Sequence, residues 1–201
     1  MKKLITLILL FIFTIVNAQE FSYGVVLGNS FFDAGNNNGS DRMHAKSYSR
    51  FLPGVYGEYN FNENIGIKAD VFLTNKPVNY FKYISGYTYQ SEIDLKYFEF
   101  STNLKYDFGN TYREGFYMLI GPKFNLLTKA TSEGEDVKDS FESFYVSAQL
   151  GFGWRVFQFV DLQTKFEYDV MPFFKTRNDH NSKFFGAIVS VNIDIEKMLS
   201  N

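Results

Sequence analysis

The chain has no cysteine among its 201 residues, which excludes a lipid-modified amino terminus, a structural disulfide and a thiolate metal site. Histidine occurs only at His44 and His180. After the first twenty residues, no run is long and apolar enough to form a transmembrane helix, which needs about 20 such residues. Phosphate-loop, zinc and dinucleotide fingerprints are missing as well. Positive charge is not in surplus: 20 basic residues face 22 acidic ones. Composition therefore implies neither nucleic acid nor an anionic lipid surface as partner.

What the chain does have is aromatic residues. With 24 Phe and 14 Tyr but one Trp, aromatics reach 19% while the mean hydropathy stays at −0.18. Aromatic and β-branched side chains suit strands, and aromatic girdles suit the two interfaces of a membrane barrel. The chain opens on Lys2 and Lys3, an apolar run from Leu4 to Val16, and Val16-Asn17-Ala18. That order reads as a secretory signal over residues 1–18, cut between Ala18 and Gln19, followed by one domain over residues 19–201. Without Lys2 and Lys3 the formal charge falls to about −4.

From Val160 to Val170 the alternation is unbroken. Val160, Leu162, Thr164, Phe166, Tyr168 and Val170 share one face, and Asp161, Gln163, Lys165, Glu167 and Asp169 the other. Seven further segments alternate likewise: 21–28, 48–61, 65–74, 98–108, 116–125, 144–155 and 184–195. The joins at 62–64, 109–115 and 157–159 are short, and those at 33–47, 75–92, 128–140 and 171–182 are long and polar. Antiparallel strands joined this way put short turns at one rim and long loops at the other. The expected fold is an all-β, eight-stranded antiparallel up-and-down transmembrane β-barrel, with turns in the periplasm and loops outside.

Alternation leaves two arrangements open. A soluble periplasmic calycin-like barrel would turn the apolar face inward around a hydrophobic ligand. A membrane barrel would enclose the polar face. Three features favour the second. The polar set carries both signs: Glu58, Lys68, Asp70, Glu99, Lys105, Lys123, Arg155, Asp161, Lys165, Glu167 and Asp169. Such groups can pair inside a narrow barrel, where an unpaired charge would be costly. The same face holds Gly24, Gly66, Gly121, Gly151, Gly153 and Gly186, which make room. The apolar set is bulkier than one small core could hold.

Residues 97–106, Tyr-Phe-Glu-Phe-Ser-Thr-Asn-Leu-Lys-Tyr, followed by Phe108-Gly109 and later Gly121-Pro122, resemble a stretch of PorT-family outer-membrane β-barrels of the Bacteroidota. Ser101 stands where that family usually has proline. The resemblance implies a barrel in the outer membrane of a Gram-negative bacterium. The family contains a secretion and gliding-motility component, a role not carried over to this chain. The chain ends on Glu196-Lys197-Met198-Leu199-Ser200-Asn201 rather than on an aromatic. Ile193 or Ile195 is therefore expected to serve as the insertion machinery's signal.

Chemistry at the outer rim rests on few residues. His44 with Ser40 and Asp41, or His180 with Asp179, would be fragments of an acyltransferase or protease site. Adjacency in sequence is not the geometry a nucleophile and base require, and solvated loop histidines are the expectation. The stretches Asp33 to Asp41 and Ser132 to Asp139, with Glu133, Glu135 and Asp136, carry oxygen donors without the spacing of a calcium loop. No enzyme, cofactor or metal site is expected. Tyr80, Phe81, Tyr83 and Tyr87 crowd one external segment as candidate contacts for a protein or surface ligand. The alternative is that Val78 to Tyr89 extends two strands above the membrane. The expected partners are outer-membrane lipid, the insertion machinery and an unidentified surface partner, with the chain a monomer.

Overall fold

The computed structural model describes residues 21–35, 41–45, 49–84, 87–109, 115–174 and 182–199. The signal assigned to residues 1–18 lies outside them. Among the described residues, eleven strands form one antiparallel sheet: β1 (Phe21–Gly35), β2 (Asp41–Ala45), β3 (Arg50–Asn60), β4 (Ile65–Asn75), β5 (Val78–Ile84), β6 (Tyr87–Asp107), β7 (Gly115–Ser132), β8 (Glu135–Asp136), β9 (Phe144–Phe157), β10 (Val160–Asp169) and β11 (Lys183–Asp194). Eight of them, β1, β3, β4, β6, β7, β9, β10 and β11, pair in sequence order. Pairing of β1 with β11, from Gly24↔Asp194 to Gly35↔Lys183, closes the barrel.

The apolar and polar parities take opposite sides. Leu104, Ile120, Leu162 and Val189 are about half exposed on the outside, whereas Lys68, Asp70, Asn103 and Lys105 are buried. A soluble barrel with its apolar face inward is therefore not what forms. Several enclosed glycines are required by an aromatic neighbour. Gly24 lies opposite Tyr56, Gly54 opposite Phe72 and Gly153 opposite Tyr117. A Cβ on Gly153 would sit 2.1 Å from the Tyr117 ring. These rings lie over the bare backbone and fill the lumen between strands.

Short turns close one end. Asn62 Oδ1 accepts from the backbone N–H groups of Asn64 and Ile65, and Asn64 Nδ2 donates to the carbonyls of Asp107 and Gly109. The other end departs from sequence expectation, because much of what reads as loop is strand. β1 runs on to Gly35, β5 and the outer part of β6 occupy the expected 75–92 loop, and β7 continues to Ser132 before a tight turn into β8. Glu133 and Gly134 both have positive φ, as a two-residue hairpin turn demands. At the carboxyl end, Ile195 leaves the sheet and begins a short helix, α1 (Ile195–Leu199), instead of ending the last strand. Asp194 Oδ1 accepts the Lys197 N–H at 2.9 Å and so starts that turn.

Candidate functional site

All eleven charged residues singled out from the polar parity in the sequence are buried, and they meet in groups. Toward the outer end, Lys123 lies 3.3 Å from Glu99 and 2.5 Å from Glu167, and Lys76 lies 2.8 Å from Glu99 and 3.7 Å from Glu167. Four side chains from distant stretches thus form an alternating ring of charge. At mid-height Lys165 pairs with Asp70, which also accepts from Ser101 Oγ at 3.1 Å. Lys68 faces the rings of Tyr56 and Tyr117, 4.2 and 5.7 Å from their centroids, a cation–π arrangement. Nearer the turns, Lys105 lies 2.6 Å from Glu58 and 2.9 Å from Asp107, and Arg155 pairs with Asp161 and lies 3.6 Å from Asp194.

Eight buried carboxylates face six buried cations among the described residues, so two carboxylates need other donors. Asp169 accepts from Ser147 Oγ at 2.6 Å and the Phe184 N–H at 2.8 Å, and Asp194 from Ser22 Oγ at 3.0 Å. Neutral donors thus hold an acid at each end of the column. Three of the fourteen, Lys76, Asp107 and Asp194, are absent from the set singled out in the sequence. Lys76 reads as loop, yet it continues the parity of Gly66, Lys68, Asp70, Phe72 and Thr74, and its N–H donates to the Leu95 carbonyl. Extending that alternation by one residue finds it.

Above the ring the lumen changes character. Phe32, Met43, Val78, Ile93, Leu95, Tyr97, Leu127, Phe141, Tyr145, Phe173 and Phe184 form one buried cluster. The Phe173 and Phe184 rings stack with centroids 3.9 Å apart, and Tyr97 meets Tyr145 edge-on at 5.5 Å. Lys76 joins the two regions, its ammonium 5.1 Å from the Phe184 ring and 2.8 Å from Glu99.

The outer surface inverts at the same level. On β6, Glu92, Asp94 and Lys96 face outward above Phe98, Phe100, Leu104 and Tyr106. On β7 the apolar band runs from Phe116 to Leu126. At about 3.4 Å per residue and a strand tilt near 40°, that band is about 26 Å tall, the height of an outer-membrane barrel's lipid-facing belt. Phe116 stacks on Trp154 near the turns, and Phe100, Phe124 and Phe144 stack in a row toward the other rim. Residues 17–175 match the family described as outer membrane protein beta-barrel domain. The chain belongs to this family. The outer membrane is accordingly where this barrel resides.

Solved barrels share its fold. Ail, the attachment invasion locus protein of Yersinia pestis, solved in complex with the heparin analogue sucrose octasulfate, is 12% identical over 88% of this chain and 100% of that one, with a TM-score of 0.53. Neisserial surface protein A (NspA) is 17% identical over the same shares, with a TM-score of 0.52. No curated protein sequence matches.

The remaining candidates of this outer-membrane barrel fall into different places. Within Val78 to Tyr89, β5 pairs antiparallel with the outer part of β6 and extends the wall, with Tyr83 in register with Thr88. Tyr80 is not an external contact: it packs on the apolar cluster beside Phe174, at 6.0 Å. Phe81 is half-buried with its ring 6.4 Å from His44, and Tyr87 is exposed. His44 itself is exposed on β2, while Ser40, Asp179 and His180 lie outside the described residues. The oxygen-rich stretches have structural partners: Asp33 Oδ1 accepts from the N–H groups of Ala34 and Ala45, and Asp136 Oδ1 from that of Lys138. Among the described residues, no group of three or more His, Asp or Glu is arranged to hold a metal ion.

Proposed function

We propose that this barrel neither conducts nor catalyses, and that it acts structurally or through partner contacts made at its external rim. The filling of the lumen supports this reading, with paired charge at membrane height and packed aromatics above. An eight-stranded barrel has an interior just wide enough for its own side chains. Here the long Lys, Glu and Arg side chains occupy it and ligate one another. The sequence supports the finer assignments: a cleaved signal over residues 1–18, a PorT-like subgroup of the Bacteroidota type, a monomer, and delivery by the insertion machinery through the last strand. A surface protein or ligand is the partner class, met by exposed residues such as Tyr87.

The test is planar-bilayer recording of the purified protein, its folding checked by the change in gel mobility on boiling. Steady, large single-channel steps would overturn the closed-lumen reading, and their absence is expected. Deleting the external hairpins one at a time then locates the partner contact: loss of surface binding on removing the segment that carries Tyr87 supports the rim, whereas an acyltransferase or protease activity that is lost with His44→Ala would overturn the non-catalytic reading.

A further inference from the structure

Lys96 and Lys129 are direct register partners on β6 and β7, and both side chains are exposed. Like charges placed opposite each other in a sheet repel. The pairing is created by a local irregularity. Between Lys96↔Lys129 and Tyr97↔Leu127, Thr128 is left over as a β-bulge. Without it, residue 129 would share the inward parity of Lys123, Asn125 and Leu127. The bulge re-aims Lys129 to the outside, the usual effect of such an insertion. Two contacts hold it: Thr128 Oγ donates to the Lys96 carbonyl at 2.9 Å, and Lys138 Nζ donates to the Thr128 carbonyl at 3.5 Å. A third ammonium group thereby lies against the bulge itself, one residue from Lys129. Neither Lys96 nor Lys129 has an ion pair among the described residues. The nearest acids on the outer face of β6, Asp94 and Glu92, stand two and four residues farther from the membrane.

Below the lysines lie the exposed side chains of Phe98 and Leu126, themselves register partners, and then the stacked rings of Phe100, Phe124 and Phe144. A cationic cluster on top of an apolar platform, at the level where the wall changes from charged to apolar, matches an amphiphile with an anionic head and acyl tails. We propose that Lys96, Lys129 and Lys138 dock the phosphate of a phosphorylated glycolipid of the lipid A type in the outer leaflet. Phosphate oxygens accept charge-assisted hydrogen bonds from the ammonium groups and relieve their repulsion. The acyl chains lie on Phe98, Leu126 and the aromatic row. This rests on the long-loop rim facing outward and not on the closed lumen, so conductance results leave it untouched.

The test uses the full protein in phosphatidylcholine nanodiscs with or without diphosphoryl lipid A. Native mass spectrometry reads bound lipid, and urea midpoints read stability. Wild type retains lipid A, and Lys96→Gln/Lys129→Gln retains at least tenfold less. Lys183→Gln, whose ammonium group faces the Tyr168 ring at 5.5 Å, retains it fully. In phosphatidylcholine alone Lys129→Gln raises the urea midpoint, because repulsion is lifted; with lipid A present it lowers it. That reversal of sign distinguishes a headgroup site from a merely structural lysine. Equal retention of dephosphorylated lipid A, undiminished retention by the double variant, or displacement of the lipid by millimolar inorganic phosphate each overturns the assignment.

Discussion

Below Tyr97, β6 turns Glu99, Ser101, Asn103, Lys105 and Asp107 into the lumen and Phe98, Leu104 and Tyr106 to the outside; above it, the same strand encloses Ile93 and Leu95 and exposes Glu92, Asp94 and Lys96. One strand therefore carries both solutions to the problem of a closed sheet, and the surrounding medium selects between them. In water, enclosing apolar surface stabilises by roughly 25 cal/mol per Å². In lipid that gain is absent on the outer face, and polar groups must satisfy each other inside. The lower lumen does so by ion pairs, with a small apolar cluster of Val26, Leu52, Tyr56, Phe72 and Ile188 also enclosed, whereas the upper lumen is filled by packed rings.

The contrast breaks most severely at the charge ring. Lys123→Met leaves Glu99 and Glu167 with Lys76 as their one shared cation, and removing one partner of a buried pair costs about 3–5 kcal/mol. Urea unfolding in phospholipid vesicles, followed by heat-modifiable gel mobility, measures the loss. The double variant Lys123→Met/Glu167→Met is expected to regain most of it, because apolar groups of similar volume replace buried pairs at little cost. A double variant no more stable than the single one would mean that the lower lumen depends on charge as such.

On the outer face the same comparison yields a smaller effect. Ile120→Lys places an ammonium group near the middle of the β7 apolar band, at an expected cost of about 2–4 kcal/mol. Thr131→Lys, on the same strand above the bulge, is expected to stay within about 0.5 kcal/mol, as surface substitutions do. Equal costs at the two sites would move the lipid boundary outward past Lys129.

The barrel was legible in the sequence wherever one rule held along a strand. Val160 to Asp169, with acids and Lys165 facing in and Leu162 and Phe166 facing out, needed nothing beyond period two. The outer third was read as loop because its inside is apolar and its outside polar: Glu92, Asp94 and Lys96 look like ordinary loop charge unless the inversion is anticipated. The Thr128 bulge hid the continuation of β7 by breaking parity between Leu127 and Ala130. Ion-pair membership was legible by residue type, since oppositely charged groups of one parity were set to share a lumen. Which pairs form was not, because Lys165 reaches Asp70 across a separation of 95 residues and the barrel interior.

The smallest effect separates inside from outside within the extension itself. Tyr80 and Tyr87 lie on the paired strands β5 and β6 and carry the same side chain, yet Tyr80 packs against the apolar cluster and Phe174 while Tyr87 is 72% exposed. Tyr80→Ser removes a ring from a packed core and is expected to cost about 1–2 kcal/mol, below a fully buried aromatic because part of it remains in contact with water. Tyr87→Ser is expected to change stability by less than about 0.5 kcal/mol. Paired unfolding curves in the same vesicles read both. If Tyr87→Ser leaves the curve in place and still abolishes binding of a surface ligand, the ring is kept for contact. If Tyr87→Ser costs as much as Tyr80→Ser, the ring packs on the extension and the rim contact has to be sought elsewhere.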